Sequence, residues 1–156
     1  MRYVLRAPLL ALTALTLIAA GCGGGSDSTI TPDSDGVVEI AMRDTRYEPD
    51  RIQVAVGDTV TFRFENEGAI AHEAFIGDEA AQEAHEAEMS ASTMTTEHGA
   101  AMDPQADSAD PGIPLRLEPG ATGTLDYTFR ESGTILIGCH EPGHWAAGMR
   151  AEIRIG

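Results

Sequence analysis

The 156-residue chain contains no lysine, so its ten basic residues are all arginine, set against 25 acidic residues for a formal charge of −15 at pH 7. A surface of that sign repels phosphate backbones and anionic membrane surfaces, which removes nucleic-acid binding from the functions open to it. Cysteine is nearly as scarce: the two present, Cys22 and Cys139, are too few for a disulfide framework, and structural zinc would recruit more Cys or His. Long apolar runs are missing too. The stretch from Ala7 to Ala20 is uncharged and apolar, yet it falls short of the ~20 residues that a permanent membrane-spanning helix needs. What remains fits one ordinary domain with a tail.

The tail has a recognisable layout. Arg2 and Arg6 precede the apolar run, and Ala19-Ala20-Gly21 leads directly into Cys22. Positive start, apolar middle and small residues before a cut mark an export signal. The small residues before Cys22 resemble a bacterial lipobox, which implies cleavage ahead of Cys22, acylation of its thiol, and an extracytoplasmic protein lipid-anchored to a bacterial membrane. Residues 1–21 are then discarded, and loss of the two arginines moves the charge from −15 to −17. Residues 22–36 are small, polar and Pro-containing, the composition of a flexible linker. Residues 37–156 are the expected domain. A lipid-modified Cys22 leaves Cys139 as a lone exported thiol, which calls for a chemical reason.

From Val37 onward the apolar pattern has period two. Val38-Ile40-Met42, Ile52-Val54-Val56 and Val60-Phe62-Phe64 alternate with polar or small residues, and Ala71 to Ile76 adds a short strand. Leu115-Leu117, Leu125-Tyr127-Phe129, Ile135-Ile137 and Met149 to Ile155 continue the theme after an interruption. Seven or eight short strands punctuated by Gly and Pro predict an all-β, Greek-key β-sandwich. The interruption, residues 77–112, holds nine acids and no arginine. Asp78 is placed to cap a helix over Glu79–Ala91, with an irregular loop following.

The chemistry concentrates in Gly138-Cys139-His140-Glu141-Pro142-Gly143-His144-Trp145-Ala146-Ala147-Gly148-Met149. Thiol, imidazole and thioether stand at Cys-x4-His-x4-Met spacing on one loop between two strands, and Pro142-Gly143 bends that loop. A sandwich can bring a second imidazole, His72, alongside from another strand. Two imidazoles, a thiolate and a distant thioether make a trigonal site with a weak axial ligand, which suits copper in both oxidation states. His140 would point the opposite way from Cys139 along the strand and is expected at the surface. Trp145 is expected to pack over the loop or to join Pro142, Ala146 and Ala147 in an apolar docking patch.

These residues resemble the cupredoxins, the type 1 blue copper proteins that include plastocyanins, azurins and rusticyanin-like proteins. The likeness spans about Val37 to Ile155. It rests on Tyr47-x-Pro49-x-x-Ile52-x-Val54-x-x-Gly57-Asp58-Thr59-Val60 leading to Asn66 and His72, and on Cys139-x-x-Pro142-Gly143-His144-x-x-x-Gly148-Met149. Carried over by position, the resemblance implies one copper held by His72, Cys139 and His144 with Met149 axial. It also implies that Asn66 hydrogen-bonds across the site and joins the two ligand loops. Within the insert, His85, Met89, Met94, His98 and Met102 form a candidate second, Cu(I)-selective site. The insert is similar to those of bacterial copper-tolerance cupredoxins.

Counting residues removes neighbouring chemistries. A binuclear copper centre needs a second thiolate on the Cys139 loop, and a trinuclear one needs more than the five histidines here, including one before the cysteine, where Gly138 stands. The expected function is a monomeric one-electron carrier rather than an enzyme. It would exchange electrons through the His144 edge with a redox protein, a cytochrome or copper enzyme, whose basic surface complements its charge. The rival is a protein that captures, stores or delivers copper, and a copper-free binding module is the weakest reading.

Overall fold

A computed structural model of the chain describes residues 29–92 and 114–156. Cys22, Met94, His98 and Met102, and the expected signal segment 1–21, lie outside the described residues.

Among the described residues, nine strands and one helix follow one another as β1 (Val37–Arg43), β2 (Arg46–Glu48), β3 (Arg51–Val54), β4 (Thr59–Asn66), β5 (His72–Gly77), α1 (Glu79–Ser92), β6 (Leu115–Leu117), β7 (Thr122–Thr128), β8 (Gly133–Gly138) and β9 (Arg150–Ile155). They form two sheets, one in the order β2-β1-β4-β7 and one in the order β3-β9-β8-β5-β6. Most neighbouring pairs are antiparallel, while β1 runs parallel to β4 and β3 parallel to β9, as crossing connections in a sandwich require.

Alternation builds the core. Val38, Ile40 and Met42 of β1, Val60, Phe62 and Phe64 of β4, and Ala151, Ile153 and Ile155 of β9 point inward, leaving Glu39, Arg63 and Arg154 outside. Phe129 meets Phe62 edge-on, with ring centroids 6.3 Å apart at 79°. Strand β2 is the ninth strand, beyond the seven or eight expected. Three residues give too short an alternation to read, and it holds its place through one inward residue, Tyr47, whose hydroxyl donates to the buried carbonyl of Glu73. Val56 lies past the end of β3 and is exposed.

Ordered structure begins upstream of Val37. Ile30 bridges Ile52 on the edge of β3, accepting from the Gln53 amide at 2.8 Å, and the Asp33 carboxylate caps the Asp35 and Val37 amides. Helix α1 begins where Asp78 accepts the Ala81 amide at 2.8 Å, the expected cap. The helix lies over the outer face of β5 and β8, so every residue of β5 is buried. That cover decides the surroundings of the site.

Candidate metal centre

His72 opens β5 and Cys139 directly follows β8, so two strands of one sheet carry two of the donors. The third comes from the loop between β8 and β9, which is a chain of tight turns. His144 donates its amide to Glu141, Ala147 to Gly143, Gly148 to Trp145 and Met149 to His144, all at 2.9–3.0 Å. Gly143 and Gly148 sit at φ of 86° and 88°, a left-handed conformation that glycine takes without Cβ strain. Each stands immediately before a donor residue and turns the chain into it. The Cys139 amide then donates to the Met149 carbonyl at 3.2 Å, closing the loop on itself.

The outcome is a convergence of soft and borderline donors. His72, Cys139 and His144 place their ligand atoms within 4.8 Å of one another. Sγ of Cys139 is 3.3 Å from Nδ1 of His144 and 4.0 Å from Nδ1 of His72, and the two imidazoles lie 5.0 Å apart. His72, Cys139 and Met149 are fully buried, while His144 is part-exposed. Burial pushes the Cys139 thiol up to about 11, against the pull of amide hydrogen bonds from Glu73, at 3.4 Å, and Glu141. Burial likewise holds the His72 imidazole below its ordinary value, with nearby His144 second, while Asp44 pulls partly the other way. A thiol and two imidazoles that converge in this way, with the buried thioether of Met149 on the same loop, fit copper and fit no hard cation.

The sequence comparison agrees with the geometry. The profile of the copper-binding proteins of the plastocyanin/azurin family matches residues 34–156. This chain belongs to that family. It is 36% identical over 117 residues, 74% of its length, to the copper-resistant cuproprotein CopI of Rubrivivax gelatinosus, and it spans 64% of that relative's length. It is 31% identical over 159 residues to auracyanin-A of Chloroflexus aurantiacus, covering 93% of this chain and 94% of that one. The reduced auracyanin of Roseiflexus castenholzii shares its fold, with a TM-score of 0.62 at 23% identity over 78% of this chain and 97% of that one. As a cupredoxin it binds copper in a type 1 site made by His72, Cys139, His144 and Met149.

Around these ligands the cupredoxin differs in places from the expectation. Asn66 is buried, and its amide nitrogen donates at 2.9 Å to the carbonyls of Ile70 and Leu117 while its oxygen accepts from Gly68. It therefore pins the segment before His72 to β6. The link from the His72 strand to the Cys139 loop runs through the Glu73 amide and Sγ.

His140 does point away from the copper donors, but it is 2% exposed rather than at the surface, because that face is covered by α1. Its ring lies 2.7 Å from Gln82 Oε1 and 2.8 Å from Glu86, and it stacks on Trp145 at 4.8 Å. Trp145 packs over the loop and carries the Arg150 guanidinium 4.1 Å above its ring.

His85, from the candidate second site, faces inward. Its Nε2 is 3.0 Å from the buried Glu73 carboxylate and its ring stacks on Phe75 at 4.3 Å. Met89 sits one turn further, part-exposed. Glu73, Gln82 and Glu86, which carry this inner network, were not singled out from sequence. A glutamate in the middle of His72-Glu73-Ala74-Phe75-Ile76 was the available signal, since a buried acid requires a partner.

Proposed function

We propose that this cupredoxin is an exported, lipid-anchored, monomeric one-electron carrier and not an enzyme. The observation that supports it most is the donor geometry: the three strong ligands stand on two strands and a turn-locked loop, with one imidazole, His144, reaching toward solvent. Ligands held this way change position little between Cu(II) and Cu(I), and small reorganisation gives fast transfer through the part-exposed His144 edge.

The test begins with Cu(II) added to the metal-free protein. An intense visible thiolate-to-copper band is expected in the wild type and none in Cys139→Ser. Rapid reversible reduction by small redox reagents and by a cytochrome, with no turnover of oxygen, completes the expectation. A wild type without the band, or one that consumes oxygen catalytically, would overturn it. For the anchor, Cys22→Ala should move the protein from the membrane to the soluble extracytoplasmic fraction; a wild type already soluble would remove lipidation.

A second reading, copper capture and delivery, is favoured by the likeness to a copper-resistant cuproprotein and by the thioethers and imidazoles of the insert. Cu(I) stoichiometry decides it. One copper per chain, unchanged when Met89, Met94, His98 and Met102 are replaced together, leaves the carrier alone; extra copper lost with the replacements supports handling.

A further inference from the structure

His72 offers Nδ1 to the copper site, and its other ring nitrogen, Nε2, is buried without a hydrogen-bond partner among the described residues. Metal-bound imidazoles nearly always give that second N–H to an acceptor, which fixes the tautomer and strengthens the ligand. The acceptor facing it here is Oδ1 of Asp44, 3.6 Å away, just beyond hydrogen-bond range. Asp44 lies in the turn between β1 and β2, and the same oxygen already accepts the Ala69 amide at 2.7 Å. Its position is thus held from the segment that leads into His72. Gly68 stands between carboxylate and ring: a Cβ there would come within 2.5 Å of both Asp44 Oδ1 and His72 Nε2. Only a residue without a side chain lets the two approach.

We propose that Asp44 is a positioning residue for the copper site: its carboxylate keeps the His72 proton on Nε2, leaving the Nδ1 lone pair aimed at the metal. A carboxylate can only accept, so the nitrogen that faces it must carry the proton. A metal cation on Nδ1 makes Nε2–H a better donor, and the negative charge of Asp44 then supports the more electron-rich ligand that Cu(II) favours over Cu(I).

Three variants test this. Asp44→Asn keeps an oxygen for the Ala69 amide and removes the charge. Asp44→Ala removes both. Asp35→Asn removes one charge beyond the far end of β1, away from the site. In the metal-free, 15N-labelled wild type, long-range proton–nitrogen spectra are expected to show His72 as the single Nε2–H tautomer, and Asp44→Ala to introduce the Nδ1–H form. By competition against a chelator, Asp44→Asn should lose about tenfold in Cu(II) affinity, the lower end of what outer partners of a metal ligand contribute. It should lose less for Cu(I), and Asp35→Asn should stay at wild-type affinity for both. A wild-type His72 protonated on Nδ1, or an Asp44→Asn protein that binds Cu(II) as Asp35→Asn does, would overturn the proposal and leave Asp44 as a cap of the loop alone. If Asp44→Ala does not fold, the wild-type spectrum and the Asn variant still decide.

Discussion

Cys139 is the residue on which the chemistry turns, and its environment sets a measurable proton cost. The thiol is pushed up to about 11 chiefly by burial, so at neutral pH the metal-free site holds SH, whereas copper takes the thiolate. His72, held below its ordinary value, is already neutral there and contributes no proton. The sign follows: below about 11 each unit of rising pH makes the thiolate tenfold more available. Cu(II) binding is therefore expected to release one proton per copper between pH 7 and 9 in weakly buffered solution, with apparent affinity rising about tenfold per pH unit. Release near zero, or a flat affinity, would mean that the thiol is already ionised before copper arrives. Cys139→Ser should release none. This residue was legible from sequence because it was a lone exported thiol at a metal-ligand spacing. Asp44 was not, since an aspartate in a turn looks the same whether or not a buried imidazole faces it.

At the scale of elements, α1 does more than decorate an insert. Gln82, fully buried, donates its amide at 2.9–3.0 Å to the carbonyls of Leu136 on β8 and Phe75 on β5, and its oxygen faces His140. One side chain thus straps together the strand that leads into Cys139 and the strand that begins with His72. Gln82→Leu would leave the His140 ring nitrogen and two carbonyls short of partners, a cost of about 1–3 kcal/mol per stranded group. Chemical denaturation of the metal-free protein should show a loss of at least about 2 kcal/mol, against a change within about 0.5 kcal/mol for the exposed Glu83→Ala. Equal effects would mean that the strap carries no stability. The helix and eight of the strands were readable because period-two alternation and an Ala/Glu-rich run after an Asp cap are local signals. Strand β2, with Tyr47 as its one inward residue, carries too little alternation. The burial of His140 depends on which face the helix covers, a non-local fact that alternation along one strand cannot contain.

For the whole molecule, the absent lysines and the charge of −15 acquire a direction once the sandwich is built. Among the described residues, five arginines are paired in place: Arg43 with Glu48 and Glu67, Arg46 with Glu48, Arg63 with Glu39, Arg116 with Glu118 and Glu141, and Arg154 with Glu152. The acids in excess are what a partner meets at a distance. Such pairs at an exposed surface add little to stability, so the uncompensated field is better understood as acting on encounter than on folding. Screening lengths fall from about 30 Å at 0.01 M salt to about 3 Å at 1 M. If the electron partner is basic, the second-order rate of reduction of the copper protein by a basic cytochrome should be fastest at the lowest salt. It should fall by tenfold or more by 0.5 M, whereas a neutral small-molecule reductant should show little change. Stopped-flow bleaching of the blue band reads both rates in one series. A cytochrome rate as flat as that of the neutral reagent would show that the acidic surface does not steer the partner.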